Sequence, residues 1–497
     1  MKRIISLMLV LLMLTTCFLV SCTKDNGEGD QGAVTTDGDT VNEEKYLDEL
    51  PEKDMGGYEF IVQNNNRADF KSDTAFGEDS DGSIYGEAIY KRNVLIEERF
   101  NCKLVADYNL AEGYLINMAM SGDCDIDLVL FTPVGRADVV LSGALLDWSE
   151  ENVPYVDKSK SYYYQKFNEN LNVGGSQFFL AGDFSNSVTR FSYCWYFNMD
   201  LLENSLHMTP DELYDLVTSK QWTYEKAYNM ISEIYADAGT LGEKDTADTF
   251  GYVSNYWSAA VAYNYAFDNR AMIMVDGVPQ MNPSFYDKSV DVVESVRKLF
   301  YDNPGSYVGD WGQETESWKS GNALFVASCL HDGLYYDDLS FDYGVIPYPM
   351  YDSDQKEYYS SVDGAHGLMA MLTCMPDERK ENNSILIEAL NAESARISKP
   401  VFIEQTLKLR TLNVLSDKAN EVVGIILDSV IADFGFFFSN QIEGFPFMIQ
   451  HVMISQSNSE ENRVNFASLY EMYEEKNIKT YNDLISQLIE QAEESKK

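Results

Sequence analysis

Apolar and polar residues alternate along the chain with two periods, and the order in which the periods follow one another predicts the fold class. Tyr58-Glu-Phe-Ile-Val62 reads as a first strand, after which Tyr85, Ile89, Ile96 and Phe100 share one face of a helix over Gly86 to Arg99. A second strand spans Cys102 to Ala106. A helix through Leu115 to Met120 then leads by the turn Ser121-Gly-Asp-Cys into the strand Ile126 to Phe131. Strand, helix, strand, helix predicts a mostly parallel α/β sheet. The middle of the chain repeats the order: strands at Phe178 to Ala181 and Phe191 to Phe197, and a helix opened by the capping box Thr209-Pro-Asp-Glu212. A further helix from Thr223 carries Ala227, Ile231, Ile234 and Tyr235 at helical spacing, and another sets Val292, Val293, Val296, Leu299 and Phe300 on one side until Asp302-Asn-Pro-Gly305 stops it. A short helix closing at Trp318-Lys-Ser-Gly321 precedes the strand Ala323 to Ala327, Asp342 to Pro347 reads as another strand, and helices dominate from about Asn383 onward.

The first residues follow a different pattern. Lys2-Arg3 and an apolar run from Ile4 to Val20 have the form of an export signal, too short and wrongly flanked for a stable membrane span. Leu19-Val-Ser-Cys22 resembles the lipobox of bacterial lipoproteins. The resemblance implies removal of residues 1–21, a diacylglyceryl thioether on Cys22 and anchoring at the extracytoplasmic face of the cell membrane by acyl chains. From Thr23 to Glu44 almost nothing is apolar, so residues 22–54 are expected to be a lipidated cysteine and a flexible tether.

Composition narrows the class. Eighty acidic against 37 basic residues give a net charge of -43, which repels polyanions, so no nucleic-acid partner is expected. Tyr, Phe and Trp make up 13% of the chain, and that excess over a core's needs predicts that many rings reach the surface or line a cleft. Cys102, Cys124, Cys194, Cys329 and Cys374 form an odd set without CxxC spacing, so no disulfide framework is implied; Cys102, Cys194 and Cys329 sit in apolar runs that suit inert buried thiols. The four histidines are mutually isolated, no zinc site is expected, and no cofactor is called for. In the loop Gly77 to Ser83, Asp79, Asp81 and Gly82 are spaced as in a calcium loop, but Gly77 and Ala88 stand where an EF-hand needs carboxylates, so a solvated turn is expected.

Five segments in order carry a resemblance: Gly122-Asp-Cys-Asp-Ile-Asp-Leu-Val, Gly143-Ala-Leu-Leu-Asp, Tyr196-Phe-Asn-Met-Asp-Leu-Leu with the later Trp-Thr-Tyr-Glu helix start, Glu316-Ser-Trp-Lys-Ser-Gly-Asn-Ala-Leu-Phe and Tyr343-Gly-Val-Ile-Pro-Tyr-Pro. Together they resemble family 1 extracellular solute-binding proteins. The resemblance implies a type II, periplasmic-binding-protein-like α/β fold: two lobes, hinge crossings near Gly182 to Arg190 and Ile346 to Pro349, and a helical C-terminus. Lobe 1 would take residues 55–186 plus 347–391, and lobe 2 residues 187–346 plus 392–497, with the C-terminal helices packed mainly on lobe 2. It further implies a non-enzymatic, monomeric protein that captures a solute, a sugar or oligosaccharide, by hinge closure and delivers it to the permease subunits of an ABC transporter. A ligand sensor, or a peptide or polyamine binder on the same fold, is the alternative, with a secreted glycoside-active enzyme behind it. No GxSxG, P-loop, HExxH or GxGxxG context accompanies the many carboxylates.

A sugar offers apolar ring faces rimmed by hydroxyls, so its site needs aromatic platforms beside hydrogen-bonding side chains. The loop after the Ile126 to Phe131 strand, where the family lines its cleft, picks out Phe131, Thr132 and Arg136; the acidic residue common there is replaced by Val134 and Gly135. By the same resemblance Tyr256 or Trp257 would be a platform on the facing lobe, with His331, Asp332 and Tyr335 following a strand end. Asp183 and Arg190 at the hinge would grip hydroxyls or pair with each other. Asp363 and His366 complete the candidate set, while Trp195 and Phe197 are expected to serve the core.

Overall fold

The computed structural model describes residues 46–494, apart from 66–70, 77–81, 110–112, 409–416, 441–443, 457–462 and the single positions 135, 337 and 365. Cys22 with its tether, and most of the Gly77 to Ser83 loop, therefore lie outside the described residues. Two sheets organise the rest. The first is built from β1 (Tyr58–Gln63), β2 (Cys102–Asp107), β3 (Leu128–Phe131) and β12 (Leu368–Ala370) in the order β12-β3-β1-β2, with β1 parallel to β2 and β3, and β12 antiparallel to β3. Helix α1 (Ile84–Phe100), capped by Ser83 whose Oγ accepts from Gly86 N, crosses from β1 to β2. In β3 the two-residue period sends Leu128 and Leu130 to one apolar cluster and Val129 and Phe131 to another, so both faces of the sheet are covered.

The second sheet joins β4 (Tyr193–Asn198), β5 (Tyr235–Ala236), β6 (Thr249–Asn255), β9 (Ser306–Gly309), β10 (Ala323–Cys329) and β11 (Tyr343–Ile346) in the order β11-β4-β10-β6-β5, with β9 beside β6. It is mixed: β6 runs parallel to β9 and β10, while β4 is antiparallel to β10 and β11. A hairpin of β7 (Met272–Val275) and β8 (Val278–Met281) stands apart. The chain thus has two α/β lobes, each around its own sheet.

Several sequence expectations change. Phe178 to Ala181 forms no strand; Leu180 makes only an isolated bridge with Met369. Tyr235 is not on the helix that precedes it, which ends at Ser232, but exposed in β5. The aromatic excess goes inward: Trp195 is enclosed by Trp222, Tyr252, Phe325 and Tyr348 with ring centroids 4.8–5.7 Å away, and Tyr196, Tyr263 and Tyr265 are buried too. Trp195 and Phe197 are core residues, as expected. Cys124 and Cys374 form a disulfide, Cα atoms 5.4 Å apart, although no disulfide framework is implied by their spacing.

The chain passes between the lobes along two neighbouring stretches. The first runs through Gly182 to Arg190, where a side chain at Gly182 would collide with Asn391 Oδ1, and this backbone approach requires glycine. The return passage comes later than Ile346 to Pro349. Residues beyond β11 stay bound to the second lobe, since Trp222 Nε1 donates to Pro347 O (2.9 Å), Met350 N to Trp222 O (3.1 Å) and Tyr358 Oη to Val217 O (3.0 Å). The two passages then pair as antiparallel neighbours: Tyr193 N donates to Ser361 O (3.1 Å) and Asp363 N to Phe191 O (2.9 Å). The C-terminal helices do not keep to the second lobe either. Helix α2 (Asp377–Glu393) and the turn after it pack on α1, α3 (Lys399–Lys408) touches both α1 and the Leu330–Tyr335 turn, and α4 (Phe466–Glu494) reaches from β8 to the Ala137–Leu141 helix. Among the described residues no helix is long and apolar enough to cross a membrane.

Candidate functional site

Where the two passages meet the C-terminal end of β10, the structure holds a cavity of about 460 Å³. Its walls come from the second lobe and the passages. Phe191 precedes β4 and Tyr193 begins it, Asn255 ends β6, and Ser328 and Cys329 end β10; Trp311 and Glu314 come from the segment after β9, Asp363 from the return passage. Strand ends and the loops that follow them leave side chains unclaimed by the sheet, so α/β sites gather there.

Aromatic and acidic groups face this space together. Trp311 is 72% exposed, an unusual position for so large an apolar ring in water, and Tyr335 is half exposed. Glu314 is buried; Asn255 Nδ2 donates to its Oε1 (2.9 Å) and Gly312 N to its Oε2 (2.8 Å), while Asn255 Oδ1 accepts from Trp257 N and Ser258 N, tying the carboxylate to the start of the next helix. Asp332 accepts from Ser328 Oγ and, at 3.8 Å, from Cys329 Sγ. Burial pushes both carboxyls above their ordinary range; Asp332 adds to the rise at Glu314, and Asp363 to that at Asp332. Tyr193 Oη donates to Asp363 Oδ2 (3.1 Å). Lys319 is the only Lys or Arg among the described residues lining the cavity.

Of the residues singled out in the sequence, His331, Asp332, Tyr335 and Asp363 line this cavity. His331 is held from both sides: its Nδ1 accepts from Arg190 Nε (3.4 Å), its Nε2 meets Tyr335 Oη (3.2 Å), and its ring lies 5.0 Å from Phe191. Arg190 stands behind it. Its Nη1 donates to Asp73 Oδ1 (3.0 Å) and Ser72 Oγ (3.1 Å), so it links the first lobe to the passage rather than pairing with Asp183. Asp183 is buried and accepts from Lys399 Nζ (2.8 Å). Both charges are thus occupied by internal ion pairs.

The others lie elsewhere. Phe131 is buried and stacked on Phe179 at 5.5 Å, with the Arg136 guanidinium 5.6 Å over its ring. Tyr256 bonds Asp310 and tilts against Trp257, which is 44% exposed; neither lines the cavity, although their neighbours Asn255 and Ser258 do. His366 is wholly buried between Phe167 and Phe437; its Nδ1 donates to Asp363 O (2.8 Å), and burial pushes its pKa down to about 4. Trp311, Glu314 and Tyr193 were not singled out. The one sequence signal for Trp311 was a tryptophan between glycines in Gly309-Asp-Trp-Gly312, beyond a strand end. Among the described residues no group of His, Cys, Asp and Glu is arranged to hold a metal ion.

Comparison with solved structures bears on the fold. The chain is similar to a cyclo/maltodextrin-binding protein complexed with maltotetraose (TM-score 0.52, 12% identity, covering 87% of this chain and 96% of that one). It is similar also to an ABC transporter solute-binding protein from Thermotoga lettingae bound with α-D-tagatose (0.52, 10%, 85% and 100%), and to UgpB from Mycobacterium tuberculosis in complex with glycerophosphocholine (0.50, 12%, 89% and 100%). The fold is the two-lobed fold of solute-binding proteins. No protein-family model and no curated protein sequence matches the chain.

Proposed function

We propose that the protein captures a solute, a sugar or oligosaccharide, between its two lobes and passes it unaltered to an ABC permease, held outside the cell membrane by the lipid on Cys22. The observation that carries this reading is the cavity of about 460 Å³ against the paired passages, within the size range of small-molecule sites. A movement about those passages would change its access, which is the physical requirement for hinge capture. Trp311 and Tyr335 supply ring faces for a sugar's C–H patches, and Glu314, Asp332 and Asp363 supply acceptors for hydroxyls. Fold neighbours bound to maltotetraose and tagatose are consistent with a saccharide. On this reading the carboxylates bind and do not catalyse.

Titration calorimetry on the full chain with a panel of mono- and oligosaccharides tests it, with chromatography of the recovered ligand. Saturable binding and intact recovery are expected. Turnover to cleaved sugar, or no saccharide bound, defeats the reading.

A further inference from the structure

A row of hydrogen bonds joins the first lobe to the cavity wall. Asp73 is buried and is held from helix α1: Arg92 Nη2 donates to its backbone oxygen (2.8 Å) and Tyr85 Oη to its Oδ1 (3.4 Å). Arg190, at the end of the first passage, reaches Asp73 Oδ1 with Nη1 (3.0 Å) and turns Nε and Nη2 to His331 Nδ1, each at 3.4 Å. His331 belongs to the second lobe, on the Leu330–Tyr335 turn, and its Nε2 lies 3.2 Å from Tyr335 Oη. His331 and Tyr335 line the cavity; Asp73 and Arg190 do not.

The chemistry of arginine gives this row a direction. A guanidinium has five N–H donors and no acceptor, so a histidine nitrogen that bonds to it has to accept. An imidazole whose Nδ1 accepts is the neutral ring with its proton on Nε2. Nε2–H of His331 then donates to Tyr335 Oη, which makes the Tyr335 hydroxyl a donor toward its other neighbours, a solute among them. Taking solute capture as proposed above, we infer that Arg190, pinned by Asp73, is a positioning residue of the solute site: it selects the Nε2–H form of His331 and so sets the hydrogen-bonding sense of Tyr335. The first lobe thereby bears on affinity through residues that do not touch the solute.

Two measurements on the full chain test it. The first needs no solute: nitrogen-15 spectra of the histidine rings at about pH 7.5, with the His331 signals assigned by their loss in His331→Phe. An unprotonated Nδ1 and a protonated Nε2 are expected, giving way to a mixture of both tautomers in Arg190→Lys, which keeps a charge for Asp73 but loses the fork that spans Asp73 and His331. Asp73→Asn, which removes the anchor and keeps the arginine, serves as a second variant with the same expectation. A proton on Nδ1 of the native protein, or an unchanged spectrum in both variants, overturns the inference. The second measurement is a cycle of affinities for maltotetraose and tagatose, each variant checked for native melting. Arg190→Lys should weaken binding about tenfold in the native background and less than about twofold in His331→Phe, whereas a purely structural loss costs the same in both. Equal losses overturn the inference and leave solute capture standing. Binding of neither sugar counts against saccharide capture, and the ring spectra then decide the positioning role alone.

Discussion

A single exposed ring and a single buried one frame what the residues do. Trp311 projects at a cavity wall, whereas Trp257, one of the two rings the sequence offers as a platform, lies off it. Removing an aromatic anchor commonly costs about 2 kcal/mol or more of binding, so Trp311→Ala should weaken solute affinity roughly thirtyfold while Trp257→Ala stays near native. Calorimetry on the two variants decides between them, and the reverse ranking would move the site to the Tyr256 side. His366 makes a prediction about pH. Burial lowers its folded pKa from the ordinary 6.5 to about 4, so above 6.5 it is neutral in both states and costs nothing. As pH falls between these values the unfolded chain takes a proton that the fold refuses, and stability drops, by on the order of 2 kcal/mol at about pH 5. Asp73 and Asp433, each pushed up to about 6 by burial, work in the opposite sense, so the informative quantity is native minus variant. Chemical denaturation of native protein and His366→Gln at about pH 7.5 and about pH 5 should show a smaller loss in the variant; parallel losses would mean that His366 titrates normally.

At the scale of elements, the antiparallel pairing of β12 with β3 explains the disulfide. Leu368 faces Phe131 and Ala370 faces Val129, so the approach to β3 and the exit from β12 lie at the same end of the sheet, and Cys124 meets Cys374 there. The bridge closes a loop of 250 residues that contains the whole second sheet. Constraint of so long a loop in the unfolded chain is worth up to about 5 kcal/mol in the chain-entropy account, and typically about 2–4. Cys374→Ser should therefore melt well below the native protein under oxidising conditions and lose its sensitivity to added reductant. Identical melting with and without reductant in the native protein would show that the bridge contributes nothing.

For the whole molecule, the expected motion is a closing of two lobes about the paired passages, with α3 and α4 contacting elements on both sides. Small-angle scattering should give a smaller radius of gyration once a bound saccharide saturates the protein. An unchanged radius at saturation would point to a preformed site within the second lobe, which supplies most of the cavity wall. The anchor is tested separately: Cys22→Ser should leave the membrane fraction with its affinity intact, and retention of that variant after correct signal cleavage would remove the lipoprotein reading.

Local pattern alone carried much of this. The strands at Tyr58 and Cys102, the helix between them and the Thr209 cap are dictated by spacing and cap chemistry within a few residues, and all four stand in the structure as the sequence predicts. The α/β class was legible for the same reason, since the alternation of periods does not depend on distant contacts, while the two lobes with their crossings were implied only by the resemblance of five ordered segments. Long-range pairing decided the rest. That Cys124 meets Cys374 follows from the pairing of two strands far apart in sequence, those at Leu128 and Leu368, which neither cysteine's neighbours encode. The return passage shifted from Ile346 to beyond Tyr358 because hydrogen bonds from Trp222 and Tyr358 hold the intervening loop to the second lobe. Asp183 and Arg190 are expected from the sequence to grip hydroxyls or pair with each other, yet Lys399 and Asp73, brought in by tertiary packing, claim them. The sequence determined which residues could bind a solute; only the folded chain decided which of them have partners already and which are left facing open space.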